Sequence, residues 1–460
     1  MINRDSQRRV VVTGMSAISA LGLTLEDLRR GLQEGRSGVR STAENESFPT
    51  TLVAPVDDFS GQIQDFGNLD DAKKKAIRKG LKLMAREIQL GVAAAQRALE
   101  HANFCGAYAS PRVGVAFASD YIVTAAHELV AAMAACRTRD ENGQWRFDAE
   151  HWRENGVSKM TPLWQLKYLT NMSASHITIY NEFYGPAYDM TLRDASFSAA
   201  LGEAVETIKS GRADAMLVGS TGSRLHPHRL LEAIKNKEVA VDAQSRPFDA
   251  NRSGYAPGEG AGAIVLETAE SALERGATIY AEVLGGACRG VLKHAKDVDP
   301  DKSALPTEAP CDLTFTRESA REAIRNALDS LFKKCGVAPE EIGFVNANAR
   351  GDVALDAAEA LALRDVFGDK LDAIPVASLK GAIGNPGAGG GAIETVAGLI
   401  SLQDGALFPT LNFETPDPDC PVAPGAQYAA PAGDSFVNIC ANNLGQASAA
   451  LFKRWTAPRA

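Results

Sequence analysis

The stretch IPVASLKGAIGNPGAGGGAIETVAGLISLQDGALFP, from Ile374 to Pro409, decides the fold of this chain. It contains a short apolar strand, a glycine-rich turn, a helical segment and a second strand, in that order. Apolar residues recur every three or four positions after the turn, which predicts a helix from Gly390 to about Gln403. An Asp-Gly pair then ends the helix and leads into the second strand.

The first half of the chain repeats this pattern. The segment YDMTLRDASFSAALGEAVETIKSGRADAMLVGS, Tyr188 to Ser220, predicts a strand, a tight turn, a helix from about Ser196 to Lys209 and another strand. Alternation of strands with such helices favours a mainly parallel sheet with helices on both faces. We therefore predict an N-terminal half, residues 1–269, and a C-terminal half, residues 270–460, with a charged insertion near residues 136–159 in the first.

Composition and charge narrow the functional classes. The 460 residues are 45% hydrophobic and 23% charged, which is typical of a soluble globular protein. A net charge of -9 argues against a nucleic-acid partner, and no apolar run is long enough to predict a membrane span. The seven cysteines are dispersed and odd in number, which predicts reduced thiols in a cytoplasmic protein without a metal site.

Six sequence blocks together resemble the β-ketoacyl-acyl-carrier-protein synthases of the type II group, in the thiolase superfamily. They follow the expected order from about Arg8 to Trp455. The blocks are RRVVVTGMSAISALG (8–22), GLQEGRSGV (31–39), SRPFDANRSGYAPGEGAGAIVLE (245–267), VASLKGAIGNPGAGGGAIET (376–395), LFPTLNFETPDPDC (407–420) and NICANNLGQASAALFKRW (438–455). The resemblance implies an α/β, thiolase-like fold, with duplicated mixed five-stranded sheets in a layered α-β-α-β-α arrangement. It implies no cofactor.

The resemblance places an aspartate where these enzymes carry their nucleophilic cysteine. The block ALGEA, residues 200–204, aligns Asp194 with that position without a gap. A thiolate accepts an acyl group readily, whereas a carboxylate is a weak nucleophile. We expect Asp194 to cap the following helix, because carboxylates are favoured at helix starts. Ser196 and Ser198 lie nearby, but no histidine maps beside either hydroxyl.

Two asparagines stand where the resemblance implies catalytic histidines. Asn348 lies in VNANARGD, residues 345–352, and Asn385 lies in the glycine-rich turn. An amide donates a hydrogen bond much as neutral imidazole does, but it does not shuttle a proton. We expect Asp194, Asn348 and Asn385 to hydrogen-bond one another and close the centre. Lys380 and Glu394 match retained family positions that orient the second histidine region in active enzymes. They are either a remnant of the catalytic centre or a buried ion pair that keeps the loop in place, and we favour the ion pair.

Four more positions match substrate-binding sites of the family. Arg350 and Asp352 replace two threonines that meet the pantetheine arm of the substrate. Asn442 and Asn443 fall where the family has a Phe-Gly-Phe acyl gate, and two amides there predict a polar or closed pocket. Two histidines at family-like positions, His176 and His294, are expected to be structural.

A basic run and an apolar strand predict protein partners. Lys73, Lys74, Lys75, Arg78 and Lys79 match a region that faces the acidic carrier protein in active relatives, although a solvated helix face explains the same run equally well. The segment YGPAYDMTL, residues 184–192, matches the strand that pairs across a two-fold axis in the family. It predicts a dimer, either with itself or with an active ketosynthase.

These residues lead to three functional hypotheses. The first is a non-condensing partner subunit of an active ketosynthase in a type II fatty-acid or polyketide-like system, similar to a chain length factor. The second is a functional β-ketoacyl-acyl-carrier-protein synthase, an acyltransferase with altered chemistry at Asp194, so the sequence leaves open whether the chain is an enzyme. The third is a non-catalytic protein that binds an acyl ligand or acts as a scaffold.

Overall fold

The computed structural model describes residues 8–42, 51–104, 106–241, 244–291, 317–425, 427–428, 430–431 and 433–457. His294, Cys105 and Cys311 therefore lie outside the described residues. The α-helices are α1 Leu25–Gln33, α2 Asp71–Gly80, α3 Arg86–His101, α4 Ala126–Ala135, α5 Met172–Asn181, α6 Ser196–Lys209, α7 Pro227–Lys235, α8 Ala269–Glu274, α9 Arg317–Cys335, α10 Val353–Phe367, α11 Lys380–Ile383 and α12 Gly390–Asp404.

The strands range in length from two to ten residues. They are β1 Val10–Ile18, β2 Arg40–Ser41, β3 Leu52–Val53, β4 Val113–Ala118, β5 Arg137–Arg139, β6 Trp145–Phe147, β7 Ala187–Met190, β8 Ala215–Ser223, β9 Glu259–Thr268, β10 Ala281–Gly290, β11 Phe344–Asn346, β12 Val376–Ala377, β13 Ala406–Leu407, β14 Ala430–Pro431, β15 Ser435–Ala441 and β16 Gln446–Lys453. The helices predicted in the two halves are α6 and α12, and both have the predicted bounds to within one residue.

The main sheet confirms the predicted duplication. Within the described residues it has ten strands in the order β12-β11-β15-β16-β10-β1-β9-β8-β4-β7. Numbered within its own half, each set of five strands has the order 3-2-4-5-1. The pairings also repeat, since β4–β7 and β4–β8 are parallel as are β11–β12 and β11–β15, and the remaining pairs of each set are antiparallel.

The two sets meet along a short antiparallel contact in which Val10–Val12 of β1 pairs with Ala281–Val283 of β10. The expectation of a mainly parallel sheet was wrong, because half of the pairings within each set are antiparallel. Strands β15 and β16 show the reason, because only residues 442–445 connect them. A parallel pair needs a crossover of about a dozen residues, so this connection permits only antiparallel pairing.

The helices form the predicted layers around these sheets. Helices α6 and α12 contact strands of both sets and are buried along most of their length, so they form the middle layer. Helix α3 packs on β1, β8 and β9 of the first set, and α9 packs on β10 and β16 of the second. The central core accordingly combines Phe197 and Leu201 of α6 with Ile393 and Val396 of α12. The division at residue 269 stays a prediction.

The predicted insertion is folded. Residues 136–159 form the β5–β6 hairpin, followed by two short 3-10 helices at Ala149–Trp152 and Val157–Lys159. Among the described residues no helix is both long enough and apolar enough to cross a membrane. The same part of the chain contains no cluster of three or more histidine, cysteine or acidic side chains arranged to hold a metal ion.

Candidate functional site

The turn between β7 and α6 places Asp194 in the interior. A 3-10 turn, Arg193–Ala195, joins the two elements, and Arg193 adopts a left-handed conformation with φ of 53°. Such a conformation is uncommon for a residue with a side chain and marks a sharply constrained turn. Ser196 Oγ holds the turn by accepting a 2.8 Å hydrogen bond from Leu192 N and donating one of 2.6 Å to Arg193 O.

Asp194 forms ion pairs with two buried arginines. Its Oδ2 atom lies 2.6 Å from Arg224 Nη2, and its Oδ1 atom lies 3.6 Å from Arg350 Nη1. Burial alone would raise the pKa of Asp194, but the two guanidinium groups outweigh burial and hold this pKa well below its usual range. The expected cap on α6 was wrong, because Ala195 occupies the N-cap position and the Asp194 carboxylate turns toward the arginines.

Arg224 follows the end of β8, and a glycine makes room for it. Gly387 lies in the 3-10 turn Gly387–Gly389 with φ of 66°. A Cβ atom on Gly387 would lie 3.2 Å from Arg224 Nε, which is tighter than most contacts of a real side chain. Only glycine therefore suits both the backbone conformation and the space beside the guanidinium. Arg350 approaches from the other side, in the loop between β11 and α10.

Tyr255 separates the two arginines from a second acidic group. The Cζ atoms of Arg224 and Arg350 lie 5.3 and 4.7 Å from the centroid of the Tyr255 ring, so both guanidinium groups contact its face. Tyr255 Oη accepts a 3.1 Å hydrogen bond from Arg224 and donates one of 2.8 Å to Glu238. Burial raises the pKa of Tyr255 to about 12, so the phenol keeps its proton.

Lys380 and Glu394 form the predicted buried ion pair. Lys380 Nζ contacts Glu394 Oε1 and also donates a 3.4 Å hydrogen bond to Asn348 Oδ1. Burial raises the pKa of Glu394, while the neighbouring lysine opposes that rise. Asn348 Oδ1 also accepts a hydrogen bond of 3.2 Å from Ala441 N. Together these contacts fix the start of α11, the N-terminal half of α12 and the loop after β11 relative to one another.

The expected hydrogen bonding among Asp194, Asn348 and Asn385 is found only between Asp194 and Asn385, where a hydrogen bond from the Asn385 side chain helps to lower the pKa of Asp194. The oxygens of Asp194 are otherwise engaged by arginines, and the Oδ1 atoms of Asn348 and Asn385 accept from other groups of the protein. Within the described residues, Asn348 Nδ2 is buried without a hydrogen-bond partner. The centre is thus closed mainly by charge and by packing, and one amide donor stays unsatisfied inside it.

The four predicted substrate-binding residues are engaged within the protein. Arg350 Nη2 lies 3.2 Å from Asp352 Oδ2, and Asp352 Oδ1 caps α10 by accepting from Ala354 N and Leu355 N. Asn442 Nδ2 donates a 2.9 Å hydrogen bond to Leu192 O, in the turn that holds Asp194. Asn443 Nδ2 donates to Glu238 Oε1 at 2.9 Å. Substrate contact by these four residues stays a prediction.

The basic run lies on α2 at the surface. Lys75, Arg78 and Lys79 are exposed, Lys73 and Lys74 are half-buried, and Lys74 pairs with Asp71 at 3.8 Å. His176, expected to be structural, is buried in α5, where its Nδ1 atom lies 3.0 Å from Tyr180 Oη. The arrangement of α2 is compatible with docking of an acidic protein, and docking stays a prediction.

Sequence reasoning missed Arg224, Tyr255 and Glu238. A signal for Arg224 exists, because β4, β7 and β8 are parallel and their carboxyl ends meet at one edge of the sheet. Asp194 and Arg224 each follow such an end by a few residues. The sequence gives no comparable signal for Tyr255 or Glu238, since their positions depend on the long connection between β8 and β9.

The duplicated 3-2-4-5-1 sheet, the two buried middle helices and the strand-turn-helix centre define a thiolase-like fold. The match to known sequences makes this more specific. The family described as β-ketoacyl synthase, N-terminal domain, matches residues 7–272, and the β-ketoacyl synthase, C-terminal domain, matches residues 303–414. The chain belongs to the β-ketoacyl synthase family.

Full-length relatives agree with this assignment. The chain is 29% identical to the 3-oxoacyl-[acyl-carrier-protein] synthase 2 of Coxiella burnetii over 422 residues, which cover 90% of each protein. Among solved structures, the ishigamide ketosynthase/chain length factor is 25% identical with a TM-score of 0.76, and a β-ketoacyl synthase from Burkholderia phymatum is 25% identical with a TM-score of 0.77. Both comparisons cover 98% of this chain and all of the other.

Proposed function

We propose that this chain is a non-condensing ketosynthase subunit that works with an active ketosynthase in a type II fatty-acid or polyketide-like system. The observation that carries the proposal is the pairing of Asp194 with Arg224 and Arg350. Condensation begins when a nucleophile accepts an acyl group from a thioester. A carboxylate held ionised by two arginines is a weak nucleophile with no general base beside it.

The surroundings of Asp194 support the same proposal. Neither asparagine at the matched histidine positions supplies the proton transfer that histidine performs. Asn442 and Asn443 bind the turn and Glu238, so the matched gate positions carry polar contacts where an acyl chain needs an apolar passage. Since condensation requires a cysteine, we propose that an intact ketosynthase subunit provides it. One similar solved structure is described as a ketosynthase/chain length factor, which is a pairing of this kind.

A second candidate is a functional acyltransferase with altered chemistry. The unpartnered Nδ2 atom of Asn348 favours it, because an unsatisfied donor in a buried centre is suited to a carbonyl oxygen. Asp194 opposes it, because it already occupies Arg224 and Arg350, the cations that a malonyl carboxylate in the same centre would need. A third candidate, a scaffold or acyl-binding protein, needs a binding pocket beside these asparagines.

Two measurements on the purified protein test the proposal. The chain is incubated with radiolabelled acyl-acyl carrier protein, and the peptide that contains Asp194 is analysed by mass spectrometry. We expect no covalent adduct, and a stable acyl adduct on Asp194 would overturn the proposal. The condensation rate is then measured for the chain alone and mixed with an intact type II ketosynthase. We expect activity only in the mixture, and condensation by the chain alone would support the second candidate.

A further inference from the structure

A buried glutamine interrupts the apolar interior face of α3. Gln96 is 3% exposed, although glutamine is mostly found at protein surfaces, and the preceding residues from Val92 to Ala95 are fully buried. Within the described residues the Nε2 atom of Gln96 is buried without a hydrogen-bond partner. A buried amide donor without a partner costs folding free energy, so its position points to a group that meets it.

Gln96 lines a cavity together with a second buried amide. The volume of the cavity is about 530 Å³, which is within the range of small-molecule sites. Asn181, the last residue of α5, also lines it. Asn181 Nδ2 donates a 2.9 Å hydrogen bond to Ile177 O, while its Oδ1 atom is buried and has no partner among the described residues. Two residues of the cavity lining thus carry one unpaired amide donor and one unpaired amide acceptor.

Three aromatic rings contribute to the lining of the same cavity. The ring centroids of Phe104 and Tyr108 are 5.5 Å apart with an interplanar angle of 28°, and Phe183 meets Phe104 edge-on at 6.0 Å. Phe104 is held at the end of α3, where its N–H donates a 3.1 Å hydrogen bond to Leu99 O. The hydroxyl of Tyr108 already donates to Glu267, so this residue offers a ligand its ring. Such a lining suits a flat aromatic molecule.

The charged residues of the lining favour a neutral ligand. They are Asp70, Lys73 and Glu100. An organic anion would meet two carboxylates for one ammonium group, which is unfavourable. Both carboxylates already accept hydrogen bonds from the backbone, since Asp70 Oδ1 lies 2.8 Å from Lys73 N and Glu100 Oε2 lies 3.1 Å from Asn68 N. These engaged carboxylates make a cation a poorer match than an uncharged molecule.

The cavity is separate from the Asp194 centre. Val113, the first residue of β4, lines it, and Phe183 precedes β7. Because β4 and β7 are parallel, their amino ends lie at one edge of the sheet, and their carboxyl ends, from which the chain reaches Asp194, lie at the opposite edge. A strand of six residues such as β4 is about 20 Å long. Occupation of the cavity therefore leaves the Asp194 centre untouched.

We propose that this cavity, here called the Gln96 cavity, binds a neutral aromatic molecule that carries a carbonyl oxygen and an N–H group, as a primary amide does. The carbonyl oxygen accepts a hydrogen bond from Gln96 Nε2, and the N–H group donates one to Asn181 Oδ1. The ring packs against Phe104 and Phe183. This binding site goes beyond the ketosynthase function proposed above and does not depend on it.

The test uses the full-length protein and three ligands of similar size. The first, 2-naphthamide, carries both the carbonyl oxygen and the N–H group. A methyl group replaces the amide nitrogen in 2-acetylnaphthalene, and a charged oxygen replaces it in 2-naphthoate. Saturation-transfer difference NMR gives the Kd of each ligand for wild type and for Gln96→Met, which keeps the side-chain length and removes Nε2. The control is Gln144→Met, the same exchange at an exposed position, and circular dichroism checks that each variant is folded.

We expect 2-naphthamide to bind to wild type, and the other two ligands to bind at least ~10-fold more weakly, which is the effect of losing one hydrogen bond to a buried group. Gln96→Met should raise the Kd of 2-naphthamide by a similar factor, and Gln144→Met should leave it unchanged. The inference is overturned by absence of 2-naphthamide binding, by equal Kd values for the amide and the ketone, or by equal effects of the two variants.

The ligand series on wild type decides the question alone if Gln96→Met does not fold. The acyl-adduct measurement on Asp194 concerns the opposite edge of the sheet, so its result does not change with the outcome at the Gln96 cavity. Failure of this inference is therefore distinct from failure of the proposed function.

Discussion

Arg224 Nη2 lies 2.6 Å from Asp194 Oδ2, and both side chains are buried. The resemblance matches Asp194 to the reactive cysteine of the family. Arg350 adds a second positive charge from the other half of the chain. The centre of this protein is therefore organised around a neutralised carboxylate. Five predictions below follow from this centre and from the surface of α2.

Asp194→Asn should destabilise the protein by about 3–5 kcal/mol, because it leaves the buried Arg224 without its carboxylate partner and Arg350 with Asp352 alone. The measurement is the urea midpoint of unfolding. The control is Asp214→Asn, because Asp214 pairs with Arg112 at 2.7 Å in a half-exposed position. Such a pair contributes only about 0–1 kcal/mol. Equal effects of the two variants would contradict the structural role assigned to Asp194.

The stability difference between wild type and Asp194→Asn should depend on pH. The folded-state pKa of Asp194 is below its ordinary value of 3.8, so its ionised form contributes stability fully above about pH 4. This contribution is lost as the pH falls toward the folded-state pKa. The difference in stability between wild type and Asp194→Asn should therefore shrink below pH 4. A difference that stays constant to pH 2.5 (about 1.3 units below the ordinary pKa of aspartate) would contradict this account.

Glu359 should make the protein less stable as the pH rises. Burial raises its folded-state pKa from 4.5 to about 8, while its Oε1 atom accepts a 2.8 Å hydrogen bond from Asn348 N. The folded state thus retains a proton that the unfolded state releases, and stability falls between about pH 4.5 and pH 8. Glu359→Gln keeps the acceptor and removes the titration. Urea midpoints should decline more steeply with pH in wild type than in this variant, and parallel curves would refute the prediction.

Asp194→Cys alone should not restore condensation. The new thiol would sit beside two arginines, but Asn348 and Asn385 still lack the proton chemistry of histidine. The triple variant with Asn348→His and Asn385→His should release carbon dioxide from malonyl-acyl carrier protein faster than the single variant. Release of labelled carbon dioxide and formation of the condensed product are the two readouts. Robust condensation by the single variant would show that the asparagines suffice.

Charge reversal on α2 should weaken binding of an acidic carrier protein. The double variant Lys75→Glu with Lys79→Glu replaces two exposed positive charges by negative ones. The resulting loss of affinity should be smaller at high salt, because exposed charges are screened. Lys333→Glu is the control, since Lys333 is exposed on α9 in the other half. Fluorescence anisotropy with labelled acyl carrier protein gives the Kd. Equal affinity of all three proteins would show that the basic run is a solvated helix face and not a docking site.

The fold was predictable because its signals are local and repeated. Periodicity alone placed α6 and α12, and the resemblance supplied the mixed five-stranded sheets that alternation of helices and strands did not reveal. The Lys380–Glu394 ion pair was also predictable, because both residues match retained family positions. The alternation of strands and helices did not predict the antiparallel pairing of β15 with β16, because that pairing depends on the length of one short connection.

The partners of Asp194 were less predictable because they are distant in the sequence. Arg350 was noticed only as a substitution at a substrate-binding position, and its contact with Asp194 requires the second half to pack against the first. Tyr255 brings Arg224 and Arg350 together on one ring, a relation that no local pattern expresses. Charge balance in a buried centre is a property of the folded chain.

The pairing of Asp194 with Arg224 also limits which substitutions the centre tolerates. Cysteine at position 194 would leave Arg224 without its carboxylate partner unless the thiol ionised, whereas Arg350 would keep Asp352. Loss of Arg224 alone would leave the Asp194 carboxylate less well compensated. Selection for stable folding alone would therefore keep Asp194 and Arg224 together, whatever chemistry the centre performs.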